Sequence, residues 1–242
     1  MNTIDVVIPT MWKSKNFLSA LDTYIECEYI GNIFLIDNDK ANRPKRVDEL
    51  NSSKLHIICY GKNNYVNPSW NEGYYRSKAN VLSIINDDIE VESSVFRDFS
   101  AVDFKEIDVV GVHLKNTPDN YTVGVHEGED ELFKLKHGRT QPIGGQGYAF
   151  GVCMFIKRTS YKVIPRLYQI WFGDEYLTQN NEHIYIFKTN RIKGEISKTL
   201  VSEHKNYDIN KRLALDASNA YHFHHIKNAR TWDIVKATKE RL

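Results

Sequence analysis

The amino-acid sequence predicts an α/β fold, with a mixed, mainly parallel β-sheet flanked by helices. Short apolar runs rich in Ile and Val alternate with stretches of helical spacing over residues 1–92. This order is typical of βαβ units with right-handed crossovers. Polar residues also follow each of these apolar runs. Because parallel strands end at a common edge of the sheet, where open α/β sheets bind ligands, the sequence predicts a binding site along that edge.

The elements predicted for residues 1–92 follow from the spacing of apolar residues and from residues that end helices or strands. Strands are predicted at residues 4–10, 33–39, 55–60 and 81–85, and helices at residues 16–29 and 68–78. The first helix has an apolar stripe at helical spacing, made by Phe17, Leu18, Leu21, Tyr24 and Ile25. Gly31 follows it as a typical stop signal. Residues 40–53 are polar and are predicted to be a loop with a short helix.

The regular alternation ends after Glu90. Strands are predicted at residues 107–114, 148–157, 184–187 and 199–204, and helices at residues 160–167, 213–223 and 232–241. Residues 115–147 are polar and contain glycines, so they are predicted to be irregular, and long loops in compact domains are usually functional or mobile. Without repeats or a linker, we expect one domain over residues 1–242.

Bulk composition excludes several classes of protein. The chain has 242 residues, 41% of them hydrophobic and 26% charged, with a formal net charge of +1. Such a charge gives no global attraction to nucleic acid or membranes, although a local basic patch stays open. Asp5 interrupts the N-terminal apolar run, and no run approaches the roughly 20 residues of a spanning helix. We therefore expect a soluble, cytoplasmic protein without an integral membrane segment.

Cys27, Cys59 and Cys153 are odd in number and far apart. This pattern indicates reduced thiols rather than a disulfide framework or a zinc site.

Two adjacent carboxylates follow the apolar run at residues 81–85. Asp87 and Asp88, after Asn86, are predicted to lie at the carboxyl end of a buried strand. Two carboxylates at that place can hold a hard divalent cation, and the cation can hold a diphosphate. The alternative is a strand-ending turn, because Asn and Asp are common turn residues.

An ordered set of motifs resembles the glycosyltransferases of family 2, which have the GT-A fold. The matching segments are residues 6–10, 35–38, 71–73, 86–88, 151–158 and 171–175, followed by a His-containing tail. The resemblance spans most of the chain. It implies a hexosyl- or pentosyltransferase that moves a sugar from a nucleotide-diphosphate sugar to an acceptor hydroxyl. It also divides the chain into a nucleotide-sugar-binding half, residues 1–92, and an acceptor-binding and catalytic half, residues 93–242.

The resemblance implies a set of residues next to the nucleotide sugar. They are Pro9, Thr10, Asp37, Asn38, Asn71, Gly73 and Asp87. A carboxylate such as Asp37 can accept two ribose hydroxyl hydrogen bonds, although a turn or a helix cap is an alternative role. The family often has Ala-Arg before the equivalent of Asn71, where this chain has Ser69 and Trp70. We expect Trp70 to lie in the core, because large aromatic side chains are usually buried.

The segment at 86–88 occupies the DXD position of the family, with Asn in place of the first Asp. The resemblance implies that Asp88 binds the metal directly and that Asp87 orients the ribose or metal-bound water. Oxygen ligands and octahedral geometry suit Mg²⁺ or Mn²⁺, which would neutralise the diphosphate leaving group. His204 resembles a late histidine that completes such sites, and His222, His224 and His225 are competing candidates.

Asp174 and Glu175 lie where the family places its acidic catalytic residue. An inverting transferase needs a carboxylate to take the proton of the acceptor hydroxyl, and Asp174 is the first candidate, with Glu175 the second. The alternative is an acidic first turn of a helix, which the helix dipole favours.

The acceptor stays open between a surface glycan or its precursor and a hydroxylated base in DNA. Two groups of basic residues could form a face for DNA: Lys134, Lys136, His137 and Arg139, and then Lys227, Arg230, Lys236, Lys239 and Arg241. A non-catalytic nucleotide-sugar-binding protein is a further alternative. A nucleotidyltransferase is disfavoured, because residues 9–13 lack a Gly-rich, Arg-containing loop. The donor sugar and the oligomeric state are not predicted.

Overall fold

The computed structural model describes residues 2–117, 120–123, 126, 128–135, 148–194 and 207–224. The strands are β1 (Ile4–Thr10), β2 (Ile30–Asp37), β3 (Leu55–Cys59), β4 (Val81–Ile85), β5 (Ile89–Val91), β6 (Val109–Thr117), β7 (Asn120–Val123), β8 (Glu131–Lys134), β9 (Tyr148–Lys157), β10 (Ile184–Lys188) and β11 (Ile192–Gly194). The helices are α1 (Phe17–Glu26), α2 (Lys45–Glu49), α3 (Val66–Arg76), α4 (Ser93–Ala101), α5 (Gly173–Gln179) and α6 (Tyr207–His224).

Nine strands form one sheet, in the order β3-β2-β1-β4-β9-β6-β10-β8, with β7 paired to β6. Strands β3, β2, β1 and β4 are parallel, as are β6 and β10. Strand β9 is antiparallel to both β4 and β6, so these two strands point the same way. The predicted mixed, mainly parallel sheet is therefore confirmed. The pairing of β4 with β9 joins residues 1–92 and 93–242 in one sheet.

Helices cover both faces of this sheet, which is why its central strands are largely apolar. Every residue of β1 and β4 is buried. Successive side chains of a strand point to opposite faces, so Val6 and Ile8 pack with α1 and α4, whereas Val7 packs with α3. Trp70 lies in the second of these cores and is 2% exposed, as expected.

The first half of the chain matches its predicted elements closely, with shifts of a few residues at their ends. Strand β2 begins at Ile30 rather than at residue 33, and it ends at Asp37. The structure adds α4 and a two-stranded sheet of β5 and β11, none of which the sequence predicted. The predicted irregularity of residues 115–147 was wrong where β6 reaches Thr117 and where β7 and β8 form.

The predicted helix at residues 160–167 was wrong. Only Arg158–Ser160 form one turn of 3₁₀ helix, and the chain then runs without regular structure to residue 165. Pro165 disfavours helical backbone at the residue before it. In addition, the amide side chain of Asn71 bonds both main-chain groups of Ile164, through Oδ1 at 3.0 Å and Nδ2 at 2.9 Å. These contacts replace the hydrogen bonds that a helix would supply.

Helix α6 confirms the predicted helix at residues 213–223 and begins earlier. Predictions for residues 136–147, 199–204 and 232–241 fall outside the described part of the chain. Over the described residues, no helix combines the length and the hydropathy needed to cross a bilayer.

Candidate functional site

The sheet order brings three polar strand ends together. Strand β1 lies between β2 and β4, so Thr10, Asp37 and the Asn86-Asp87-Asp88 turn share one edge. Thr10 and Asp37 are direct partners in the β1–β2 register. The edge that the sequence predicted as a site therefore collects several of the predicted residues.

Thr10 orients Asp87. Its hydroxyl donates a hydrogen bond of 2.6 Å to Oδ2 of Asp87, and the main-chain N–H of Met11 donates another to the same oxygen at 3.3 Å. Burial raises the pKa of the Asp87 carboxyl, while these hydrogen bonds partly oppose the rise. A cation at this edge would favour the ionised carboxylate that burial disfavours.

Asp37 is saturated by protein donors. Its Oδ1 accepts hydrogen bonds from the indole N–H of Trp12 at 2.8 Å and from the N–H of Asp39 at 3.0 Å. Its Oδ2 accepts from Nε of Arg43 at 2.8 Å and pairs with Nη2 of the same guanidinium at 2.6 Å. A carboxylate offers about four acceptor sites. A ribose hydroxyl would thus have to displace one of these donors, and the ribose contact stays a prediction.

Asn38 fixes the loop after β3. Its Oδ1 accepts the N–H of Asn64 at 2.9 Å, and its Nδ2 donates to Oγ of Ser69 at 3.2 Å and to the carbonyl of Tyr65 at 3.4 Å. Asn38 is buried. Its side chain therefore ties the carboxyl end of β2 to the start of α3.

Three aromatic residues around this edge have positive φ. Trp12, Tyr65 and Phe172 have φ of 61°, 61° and 65°, and no other non-glycine residue that the structure describes has positive φ. Such a conformation costs of order 1–3 kcal/mol for a bulky residue and often marks functional sites. Trp12 follows β1, Tyr65 precedes α3 and Phe172 precedes α5. The strain therefore lies where three segments enter or leave the candidate site.

Strand β9 connects the acidic turn to Asp174. The β6–β9 register shifts between Gly111 and Val112, which leaves β9 irregular there. Within this irregular stretch, Gly151 donates its N–H to Oδ2 of Asp174 at 2.9 Å, and the carbonyl of Val152 accepts the N–H of Asn86 at 2.9 Å. Asp174 and the acidic turn are therefore held on consecutive residues of one strand.

Of the two predicted catalytic acids, Asp174 is the accessible one. Both lie in the first turn of α5, so the helix-dipole explanation also holds. Asp174 is partly exposed, whereas Glu175 is only 8% exposed. A base must reach the acceptor hydroxyl, and this favours Asp174.

Two side chains clamp the segment that leads to Asp174. The carboxylate of Asp216, on α6, accepts the N–H groups of Gln169, Ile170 and Trp171 at 3.0, 2.7 and 3.0 Å. On the other side, Nδ2 of Asn67 donates to the carbonyl of Trp171 at 2.9 Å. Burial raises the pKa of the Asp216 carboxyl, and the three N–H groups oppose the rise. Asp216 therefore fixes the backbone just before α5, the helix on which Asp174 lies.

Asn71 and Gly73 have structural contacts away from this edge. Oδ1 of Asn71 accepts from the hydroxyl of Tyr161 at 2.9 Å, in addition to its bonds with Ile164. A Cβ on Gly73 would lie 2.2–2.8 Å from side-chain atoms of Val7, so glycine allows α3 to approach β1. Their proposed contact with the nucleotide stays a prediction.

The described residues include two candidate carboxylates for a metal ion, Asp87 and Asp88, but no complete set of protein ligands. Among them, no three His, Cys, Asp or Glu side chains cluster in a way that could hold an ion. Mg²⁺, however, is commonly held by one or two carboxylates, substrate phosphates and water, and Asp87 with Asp88 fits that pattern. His204 and His225 fall outside the described residues, and for His222 and His224 the structure describes only the backbone of α6. Which histidine completes the site stays a prediction.

Sequence reasoning missed four residues of the site: Trp12, Arg43, Gly151 and Asp216. Gly151 lies inside one of the matching segments and Trp12 lies two residues after another, but nothing local indicates their contacts with Asp174 and Asp37. Arg43 and Asp216 lie in segments predicted only as loop and helix. Their roles depend on tertiary contacts between segments far apart in the sequence.

The sequence matches no protein-family model and no curated protein sequence. Solved structures are nevertheless similar in fold. The structure of Staphylococcus aureus TarS residues 1–349 in complex with UDP-GlcNAc superposes with a TM-score of 0.60 at 13% identity, covering 96% of this chain and 70% of that one. The structure of GalNAc-T7 with UDP, GalNAc and Mn²⁺ superposes with a TM-score of 0.55 at 13% identity, covering 81% of this chain and 44% of that one. This likeness confirms the predicted GT-A fold, while membership of family 2 stays a prediction.

Proposed function

We propose that this protein is a nucleotide-sugar glycosyltransferase that transfers a sugar from a nucleotide-diphosphate donor to an acceptor hydroxyl. The observation that carries the proposal is that consecutive residues of β9 bind both candidate groups: Gly151 donates to Asp174, and Val152 accepts the N–H of Asn86 in the acidic turn. This supports a single site in which Asp174 takes the proton and the turn holds a cation and its diphosphate.

The donor occupies the carboxyl edge of β2, β1 and β4 in this proposal. The TarS structure contains UDP-GlcNAc and the GalNAc-T7 structure contains UDP and Mn²⁺, so UDP-sugars and Mn²⁺ are the first candidates to test. Trp12 and Asp37 form one wall of the proposed donor site, with Pro9 and Thr10 beneath it. Asp37 binds both Trp12 and Arg43. In this proposal it therefore holds the wall in place even if it does not contact the ribose.

Asp88 binds the cation in this proposal, while Asp87, which Thr10 keeps in place, orients the ribose or metal-bound water. A bound Mg²⁺ or Mn²⁺ would neutralise negative charge on the departing diphosphate. His204 is the proposed second protein ligand.

Asp174 removes the proton of the acceptor hydroxyl as that oxygen attacks the anomeric carbon, and the outcome is inversion. The hydrogen bond from Gly151 occupies one oxygen of the carboxylate and fixes its orientation. The other oxygen is the proton acceptor. Glu175 is only 8% exposed and is therefore less able to reach the acceptor hydroxyl.

The proposed acceptor is a surface glycan or its precursor. DNA with a hydroxylated base is the second candidate, supported by basic residues such as Lys134, which is exposed on β8. The small net charge of +1 favours the glycan, because DNA binding normally depends on a basic face. Salt-sensitive turnover with a hydroxylated DNA substrate would favour DNA.

A screen of nucleotide sugars by thermal unfolding tests the proposal, because a ligand of the native state raises the unfolding temperature. We expect one nucleoside diphosphate and its sugars to stabilise the protein only with Mn²⁺ or Mg²⁺. The variants Asp87→Asn and Asp88→Asn should lose this metal-dependent shift, whereas Glu106→Gln, which replaces an exposed acid, should keep it. Binding without any turnover across donors and acceptors would favour the non-catalytic alternative. Absence of any nucleotide-dependent shift would overturn the proposal.

A further inference from the structure

A polar cleft of about 330 Å³ opens beside the start of α3. Its walls come from the loop after β3, from the segment before α5 and from α6. The polar and aromatic residues that line it are Lys62, Asn63, Asn64, Tyr65, Gln169 and Arg212. None of the previously predicted site residues lines this cleft.

The cleft carries positive charge and no lining carboxylate. Lys62 and Arg212 supply two cations. Neither has a salt-bridge contact within the described part of the chain, although the carboxylate of Asp216, one turn along α6, attracts Arg212 electrostatically. The guanidinium of Arg212 lies 5.4 Å from the ring centre of Tyr65, a cation–π distance that holds it over the cleft. The amide side chains of the other lining residues add neutral donors.

The walls are fixed before any ligand arrives. The side chain of Asn63 accepts the N–H of Tyr65 at 2.8 Å, and Asn38 binds the same loop from below. Tyr65 is held at φ 61°. The carbonyl of Gln169 accepts the N–H of Asn67 at 3.0 Å and ties the opposite wall to α3. A fixed cleft binds without the cost of ordering its loops.

We propose that this cleft binds a phosphate group of a ligand other than the donor's diphosphate. A tetrahedral phosphate accepts hydrogen bonds from several directions, so it can use a guanidinium, an ammonium and amides at once. Strand β3, which leads into the cleft, lies three strand spacings from β4, which leads into Asp87 and Asp88. At about 4.8 Å per spacing, this separates the two strand ends by about 14 Å.

Titration calorimetry of the full-length protein with inorganic phosphate, at constant ionic strength, tests this proposal. We expect saturable binding, and we expect the double variant Lys62→Gln/Arg212→Gln to raise the Kd at least about tenfold, since charge-assisted hydrogen bonds are removed. The control Lys78→Gln/Lys162→Gln removes two exposed charges elsewhere and should bind phosphate as the wild type does. If both double variants lose phosphate affinity equally, binding depends on net charge alone and the proposal is overturned.

Two further arms define the ligand. Acetate should compete much more weakly than phosphate, and equal competition would overturn the choice of phosphate over a carboxylate. A nucleoside diphosphate with Mn²⁺ should bind Lys62→Gln/Arg212→Gln with unchanged affinity and should leave the phosphate Kd of the wild type unchanged. Mutual exclusion of the two ligands would show that the cleft belongs to the donor site. If this protein binds phosphate in the cleft but binds no nucleotide, the proposed glycosyltransferase function is rejected and the proposed phosphate site is not.

Discussion

The main-chain N–H of Gly151 donates a hydrogen bond of 2.9 Å to Oδ2 of Asp174. A Cβ at position 151 would lie 3.0 Å from that same oxygen, so a side chain there would press on the carboxylate. Because the next residue, Val152, binds the N–H of Asn86, one irregular stretch of β9 sets the position of the candidate base relative to the acidic turn.

Gly151→Ala should therefore move Asp174 while leaving the fold intact. We expect glycosyl transfer to fall about tenfold to a hundredfold, because small displacements of a catalytic group are costly. The Kd of the nucleoside diphosphate should stay unchanged, as should the midpoint of urea unfolding within error. Steady-state kinetics and equilibrium binding on the same preparation separate these effects. Unchanged kcat would show that the contact with Gly151 does not position the base.

Gly73→Ala should destabilise the protein through packing. The added methyl group would lie 2.2–2.8 Å from side-chain atoms of Val7, and overpacking of this kind costs about 1–3 kcal/mol. Urea unfolding measures the loss. The double variant Gly73→Ala/Val7→Ala should recover part of it, since the second change removes the two nearest opposing atoms, Cγ1 and Cγ2 of Val7. A stable Gly73→Ala variant with weakened nucleotide binding would instead favour the nucleotide contact that the sequence predicted.

Asp216→Asn should loosen the segment that leads to Asp174. The amide offers one oxygen to three N–H groups and lacks the negative charge, so we expect a loss of about 1–3 kcal/mol in the free energy of unfolding. Transfer should fall in kcat more than in the KM for the donor. Ser218→Ala, on the same helix, is the control and should change stability by less than about 0.5 kcal/mol. If Asp216→Asn and Ser218→Ala change stability and kcat equally, Asp216 does not hold the segment before Asp174.

Asp108 should make stability depend on acid pH. Burial alone would raise the pKa of its carboxyl, but hydrogen bonds from Ser160, His183 and Glu182 outweigh burial and lower it. A lowered pKa stabilises the fold above the pKa of the unfolded chain, about 3.9, and this contribution is lost as the pH falls through the folded value. The stability difference between wild type and Asp108→Asn should thus be constant near neutral pH and shrink below about pH 4. A difference that does not vary with pH would contradict this.

The sequence predicted the fold well because the sheet rests on buried apolar runs. Strands β1 and β4 are mostly apolar segments, and their predicted bounds match the structure. The polar edge was also predictable, since alternating strands and helices imply one direction for these strands. Pro165 in the sequence already disfavours the helix predicted at residues 160–167. The contact that replaces the helical hydrogen bonds comes from Asn71, which is 93 positions away from Ile164.

The sequence indicates the candidate acids but not the residues that hold them in place. Local motifs indicate Asp87, Asp88 and Asp174 because those residues follow strands or open a helix. They do not indicate Gly151 or Asp216, because hydrogen bonds across 23 and 45–47 positions leave no local pattern in the sequence. The left-handed backbone of Trp12 and Phe172 is equally invisible, since bulky residues rarely adopt it.

The central claim is that Asp174 is the base of a metal-dependent sugar transfer. The most direct measurement is release of nucleoside diphosphate from a stabilising nucleotide sugar and its acceptor, with Mn²⁺, by wild type, Asp174→Asn and the exposed control Glu106→Gln. We predict that Asp174→Asn lowers kcat by about 10²–10⁴ with an unchanged Kd for the nucleotide, while Glu106→Gln behaves as wild type. Turnover by Asp174→Asn at the wild-type rate would contradict the claim.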